Sequence, residues 1–566
     1  MRRLIRGLPL LVALPLLAAR APGPPGPVQE RPRLVVLVVV DQLPESLLER
    51  YGPMFTGGFR RLLDDGLQFA NATHDHAITE TAPGHATIAT GTEPWKNGMV
   101  SNEWWEATDG PEFDLILNVI EPETPVLGDP TLAGASPARL ERTGLADWLR
   151  AASPDSRVVA VSGKDRGAVL LGGQDPGDVY WFSPELGRFV TSVYYREEYP
   201  DWVNDVNGDV VPGFLADTVW ALEVPEDLRS EARPDSSPGE GGADGITFPH
   251  TLANARIANP EYPFWSWWAG TPFLDQGTLA LAEAALEGAS LGEDDVVDLL
   301  AVSLSATDRV GHAYGPGSLE QLDNLLRLDR ELGRFLDRVD DVVGEGRSLV
   351  VLTSDHASMD LPEARTARGL PGGRLTRDSV AALQSAVNKA AGASDGPEDR
   401  ARRLAETVVG ASWVARAWTH AELEHVSASA DSFMVMEARG YFPGRFAGLL
   451  SRAGVEMQLG EGILTWSIPT GTTHGSPYYY DRHVPWIMEG SGIPPGIRAD
   501  RVSTADIAPT LAALLGLQVP DDLDGVVRDV GRGGEGESGS RAPDAPEGRV
   551  RSPVSPGSSG SGSPPP

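Results

Sequence analysis

The chain of 566 residues carries 80 Asp and Glu against 47 Lys and Arg, for a net charge of −33, and contains no cysteine. Such a length supports a large buried core, so a small cross-linked scaffold is excluded, as are disulfides, thiolate metal sites and a cysteine nucleophile. The acidity excludes nucleic acid as a partner, while 41% hydrophobic content is that of a globular protein.

In chain order, residues 1–21 place Arg2, Arg3 and Arg6 before an apolar run from Leu8 to Ala19 and close on Ala19-Arg20-Ala21. This is the pattern of a secretory signal peptide cleaved near Ala19 or Ala21. The run is shorter than the ~20 residues that span a bilayer. A periplasmic or secreted protein, free of the membrane after cleavage and monomeric, is expected. A Pro-rich linker at 22–32 leads into a folded domain over 33–530, and the Gly-, Ser- and Pro-rich 531–566 is expected to be a disordered tail.

Within the domain, apolar runs at Leu34–Val40, Val158–Val161, Val297–Leu304, Leu349–Leu352 and Pro485–Met488 read as strands of a buried parallel sheet. Helical stretches such as Gly58–Leu67, Leu319–Val339 and Ala505–Leu515 alternate with them. The pattern predicts an α/β, doubly wound, mostly parallel sheet flanked by helices. Two regions near 170–290 and 365–465 fit it less well and are expected to be cap insertions. The aromatic run Pro263-Phe264-Trp265-Ser266-Trp267-Trp268 reads as packing rather than a ligand platform.

Open α/β sheets bind ligands at the carboxyl ends of their strands. Asp41 follows the first strand, Asp308 and His312 follow the third, Asp355 and His356 follow the fourth, and His474 precedes the fifth. Any one of these is matched by a helix cap or a satisfied loop residue. Together, three Asp and three His form a donor set suited to zinc, enough for two ions that each keep an open position, as in phosphoryl transfer. Thr81 precedes a stretch, Ala86–Ala89, that opens a helix, so it reads either as a nucleophile at a positive helix end or as a plain N-cap.

With these residues in place, the chain resembles the alkaline phosphatase superfamily, in particular the phosphate-irrepressible alkaline phosphatases with a threonine nucleophile. The resemblance runs from about Arg33 to Leu517. It rests on VVVDQ at 38–42, TAPGHATIATG at 81–91, SGKDRGA at 162–168, DRVGHAYGP at 308–316, TSDH at 353–356, HGSPYYYDRHVP at 474–485 and DIAPTLAALLGL at 506–517. It implies an exported two-zinc hydrolase of phosphate monoesters. Asp308, His312 and His474 would hold the zinc facing the leaving group; Asp41, Asp355 and His356 would hold the other, which also meets Thr81. Thr81 would attack phosphorus and form a phosphothreonine, while Asn102, Lys164 and Arg166 would bind the phosphoryl oxygens.

Those last three residues bear on substrate class, because a monoester presents three terminal oxygens for cationic and planar donors and a diester presents fewer. The competing readings are a nucleotide pyrophosphatase or phosphodiesterase of the same superfamily, and a non-catalytic binding protein on a hydrolase fold. Thr79 is a rival nucleophile, His85 is expected to be structural, His483 to lie no nearer than behind the site residues, and His74, His76, His250, His420 and His425 receive no role. Removing four arginines with residues 1–21 takes the mature chain to −37 (−33 − 4), so the acidity belongs to the body and the phosphate site must be positive locally.

Overall fold

The run Leu34–Val40 has no polar face: Leu34, Val36, Val38 and Val40 join one apolar cluster, and Val35, Leu37 and Val39 join another. A strand of that kind belongs in the centre of a sheet covered on both sides. A computed structural model describes residues 31–531, apart from 109, 111, 393–395, 428, 429, 466 and 491, and it places this strand fifth in a nine-stranded sheet. The expected signal peptide, most of the linker and the tail beyond 531 lie outside the described residues.

The sheet strands are β1 (Leu34–Val40), β2 (Leu67–Phe69), β3 (Val158–Ser162), β4 (Asp178–Ser183), β5 (Arg188–Val190), β6 (Asp298–Leu304), β7 (Ser348–Thr353), β8 (Trp486–Gly490) and β9 (Gly496–Arg498). Their order is β5-β4-β3-β6-β1-β7-β8-β2-β9. The block from β4 to β7 is parallel. The strand expected at Pro485–Met488 forms as β8 but runs antiparallel to β7, and β5 is antiparallel to β4. The sheet is therefore mostly parallel, with reversals on either side of the parallel block.

The helices used below are α1 (Gly58–Asp65), α2 (Thr81–Thr90), α3 (Leu145–Ala152), α4 (Asp165–Gly172), α5 (Phe273–Gly288), α6 (Ala306–Tyr314), α7 (Leu319–Val343), α8 (Arg377–Ala391), α9 (Pro397–Val409) and α10 (Ile507–Leu515). Helices α1, α5 and α7 cover one face of the sheet; α2, α3, α4 and α10 cover the other. The helix expected over Gly58–Leu67 stops at Asp65, because Leu67 already pairs with Met488 of β8.

The region near 170–290, expected as an insertion, is divided: β4 and β5 complete the sheet edge, and α5 packs on its face. Its aromatic run forms a short helix, Phe264–Trp268, with Trp268 fully buried and 5.0 Å from the ring of Phe182. Between 365 and 465, α8 and α9 accompany an antiparallel strand pair, Val414–Thr419 with Val455–Leu459, around a small apolar cluster of Ala401, Leu404 and Val455.

Candidate active site

Register decides which side chains meet. Val40 of β1 pairs with Leu304 of β6, Val39 with Thr353 of β7, and Ser303 with Ser162 of β3. Four neighbouring parallel strands thus end level, and the residues that follow them share one buried site: Asp41, Lys164, Asp308, and the pair Asp355 and His356. All five are less than a tenth exposed.

The helix that carries Thr81 starts earlier than the sequence suggests. Glu80 occupies the N-cap position in extended conformation, and Thr81 is the first residue of α2 rather than its cap. Its buried hydroxyl lies 3.4 Å from Lys164 Nζ. Lys164 is itself the N-cap residue of α4, so two helix N-termini, with their free N–H groups and positive dipole ends, converge there. Close packing of α2 on β7 requires Gly84: a Cβ at that position would lie 2.0 Å from the Asp355 carbonyl oxygen.

Two groups of side chains present donor atoms within 4.8 Å of one another: Asp308 with His312 and His474, and Asp41 with Asp308 and His356. The first is the set implied by the resemblance. In the second, Asp308 stands where Asp355 was expected, so Asp308 lies between the two groups. The Asp355 carboxylate is engaged by the Gln42 and His356 backbone N–H groups at 3.2 and 3.0 Å, and its Oδ2 lies 3.1 Å from His85 Nδ1. It remains 3.6 Å from His356 Nε2.

The donor set fits divalent metal on three grounds. Each histidine anchors Nδ1 on a backbone carbonyl, His312 on Thr472 at 2.9 Å, His474 on Thr79 at 2.7 Å and His356 on Ala357 at 3.1 Å. Nε2 is thereby left as the free lone pair, the usual arrangement behind a metal-ligating imidazole. Asp41 Oδ1 and His356 Nε2 are fully buried without hydrogen-bond partners among the described residues, which is costly in a closed protein site. Finally, three buried carboxylates face one buried ammonium, which bridges Asp41 at 2.5 Å and Asp308 at 2.7 Å. Burial, then the charge of Asp355, hold Asp41 well above the usual carboxylate range. Burial also acts to raise Asp308, but His312 and Lys164 hold it well below.

Of the expected phosphate-binding residues, Lys164 and Asn102 lie beside the start of the Thr81 helix. Asn102 Oδ1 accepts the Ala82 N–H at 3.0 Å, which leaves its NH₂ group to donate. Arg166, the second residue of α4, is partly exposed, and its Nε has no partner.

Several positioning residues had no signal in the sequence. Gln42, with φ of 65°, donates from Nε2 to Asp308 Oδ1 at 2.6 Å, linking the turn after β1 to the helix after β6. Glu80 Oε2 accepts from Ser101 Oγ and the Asn102 N–H. Asp275 of α5 accepts the Ser305 and Ala306 N–H groups at 2.7 and 3.0 Å, fixing the start of α6 and so the aim of Asp308 and His312. Gln42 adjoins a recognisable aspartate, but Glu80 and Asp275 act on partners far along the chain.

The remaining candidates separate cleanly. Thr79 donates its hydroxyl to the Ser476 carbonyl at 3.0 Å, and its own carbonyl orients His474. His85 is buried against Thr81 O and Ser303 Oγ, both at 2.9 Å. His483 meets the Ala70 carbonyl at 3.1 Å, away from the donor groups. His74 and His76 are buried, and burial pulls both down to about 3.

Comparison with known proteins gives the family of the chain. The profile of the family "Type I phosphodiesterase / nucleotide pyrophosphatase" matches residues 35–432. Alkaline phosphatase PafA of Elizabethkingia meningoseptica is 33% identical over 514 residues, covering 87% of this chain and 92% of that protein. Alkaline phosphatase PhoV of Synechococcus elongatus is 31% identical, covering 88% and 92%. The crystal structure of wild-type PafA superposes with a TM-score of 0.80 at 31% identity, covering 88% of this chain and 98% of that one. A structure of a PafA variant, with a threonine, an asparagine, a lysine and an arginine replaced, gives 0.79 at 30% identity, again covering 88% and 98%. The chain belongs to the type I phosphodiesterase/nucleotide pyrophosphatase family of the alkaline phosphatase superfamily.

Proposed function

We propose that the protein is an alkaline phosphatase that hydrolyses phosphate monoesters to an alcohol and inorganic phosphate through a phosphothreonine at Thr81. The observation that carries this reading is the Thr81 hydroxyl, 3.4 Å from Lys164 Nζ at the convergence of two helix N-termini, beside two overlapping groups of metal-type donors. The four residues replaced in the PafA variant have the same residue types, order and separations along the chain as Thr81, Asn102, Lys164 and Arg166, which supports one shared site.

Asp308, His312 and His474 would hold one zinc ion; Asp41, His356, Asp308 and the adjoining Asp355 would serve the second. When bound, such ions lower the pKa of a coordinated oxygen and stabilise developing negative charge. The chain's own residues supply the rest. Thr81 Oγ forms the bond to phosphorus as the ester oxygen leaves with its electron pair, and water later breaks the Thr81–phosphorus bond. Lys164, Arg166 and the Asn102 NH₂ donate to the three phosphoryl oxygens, over which the transition state spreads its charge. Gln42 and Asp275 hold Asp308 in place.

Export to the periplasm or medium belongs to the same proposal, supported by residues 1–21. Among the described residues no helix is long and apolar enough to cross a membrane.

The test compares 4-nitrophenyl phosphate with methyl 4-nitrophenyl phosphate. The monoester is expected to have the larger kcat/KM. A preference for the diester would replace this reading with the phosphodiesterase one.

A further inference from the structure

A cavity of about 540 Å³ lies between the 365–465 region and the loop that carries His474. It adjoins the candidate site along a short edge: Glu80 precedes Thr81, Ser101 precedes Asn102, and His474 belongs to the Asp308 group. Its wall is chiefly apolar, with Leu383 and Val387 from α8, Met457 and Leu459 from the strand Val455–Leu459, and the rings of Trp413 and Tyr478. Lysine and arginine are absent from that lining, in contrast to the Lys164 and Arg166 side of Thr81.

Polar side chains are interspersed in the lining, and several are engaged by neighbours. Glu80 is held by Ser101 and Asn102, and Glu456 by His420 Nε2 at 2.9 Å. Gln458 differs: it is 4% exposed, and neither amide atom has a hydrogen-bond partner among the described residues; Asp481 Oδ1 also lacks one. The Tyr478 hydroxyl nearby donates instead to the Leu459 carbonyl at 3.0 Å. A half-open, chiefly apolar chamber with a few unsatisfied polar atoms is a usual form of a small-molecule site, where apolar area supplies affinity and polar groups supply orientation.

We infer that this cavity takes the alcohol portion of the substrate, and that the preferred alcohol is a bulky aromatic or alkyl group rather than one carrying a second phosphate. The inference rests on the phosphatase reading, since it assigns the cavity to the leaving-group side of the phosphorus. A second phosphate would enter a chamber without a cation and among carboxyl groups, so it is excluded by desolvation and repulsion.

The experiment compares ethyl phosphate with 2-(2-naphthyl)ethyl phosphate, both esters of primary alcohols, so that the leaving oxygens are chemically matched. Wild-type kcat/KM is expected to favour the naphthyl ester by about tenfold or more, and filling the chamber with Val387→Trp or Leu459→Trp should cut that ratio by about tenfold. Equal rates in the wild type, or a ratio that neither substitution changes, would overturn the inference. Hydrolysis of neither ester would overturn the phosphatase reading instead.

Discussion

Glu80 Oε2 accepts the backbone N–H of Asn102 at 2.6 Å, so the residue at the N-cap of the Thr81 helix also holds the loop that presents Asn102, the amide donor of the proposed clamp. Losing that acceptor leaves a part-buried N–H unpaired, an effect of ~1–3 kcal/mol. Glu80→Ala is therefore expected to lower monoester kcat/KM by about 5- to 150-fold. The inhibition constant for inorganic phosphate should rise with it, because product uses the same donor. Glu80→Gln keeps an acceptor oxygen and should recover most of the loss. Steady-state kinetics on the three proteins check this, and unchanged phosphate inhibition in Glu80→Ala would count against the linkage.

Arg166 has an Nε without a partner among the described residues and stands two positions after the Lys164 cap. In the proposed clamp it binds a phosphoryl oxygen that a diester does not present. Arg166→Ala is expected to reduce monoester kcat/KM by about 10²- to 10³-fold, the usual cost of removing one transition-state donor, and diester turnover by less than about tenfold. Equal losses on the nitrophenyl mono- and diesters would remove Arg166 from the clamp.

Buried donors without partners make metal removal a two-sided test. Chelation is expected to abolish activity and lower Tm, with zinc restoring both, since a ligand bound only by the native state stabilises it by ~4 kcal/mol at a thousandfold excess over Kd. His474→Ala should reduce bound zinc from about two ions to about one, as measured by mass spectrometry of the metal content. Full occupancy in that variant would remove His474 from the donor set.

His250 provides a pH-dependent stability test away from the site. It lies buried 3.4 Å from Asp244 and 3.3 Å from Glu320, with the Tyr314 hydroxyl at 3.1 Å. Burial lowers its pKa, but the two carboxylates more than offset this and raise it to about 9. A histidine raised above its unfolded value of ~6.5 contributes stability that is complete below that value and fades as pH rises through the folded one. His250→Gln is thus expected to cost on the order of 3 kcal/mol at pH 6, with the difference from wild type narrowing by pH 10. Thermal melts at both pH values check it, and a deficit that does not vary with pH would show that His250 is neutral.

The legible part of the fold was the part with strong local patterning. Leu34–Val40 and Leu349–Leu352 could only be strands buried on both faces, and Asp41, Asp308 and Asp355 follow such strands where an α/β sheet opens to ligands. The direction of β8 was not legible, because a run such as Trp486-Ile487-Met488 has the same composition in either orientation. The early start of α2 was hidden for a related reason: Pro83 and Gly84 are weak helix formers alone, yet both are buried in a first turn that packs on β7. The metal-type donors were visible as residue types, but their grouping was not. The position of Asp308 between the two groups depends on Gln42, which bonds it from the turn after β1, and on Asp275, which fixes the start of its helix.

By itself, the sequence determined the core strands, the loops that carry chemistry and the residue types available to bind a phosphate dianion, because these follow from local hydrophobic pattern and side-chain chemistry. The tertiary structure decided which donors share a metal group, that Lys164 Nζ lies within reach of Thr81, and that the 365–465 region encloses an apolar chamber beside His474. Those outcomes depend on strand register and on packing between segments hundreds of residues apart, which no local pattern encodes. The same division accounts for the charge: a net of −33 describes the whole surface, whereas binding of a phosphate depends on the few charges that folding brings within a screening length of Thr81.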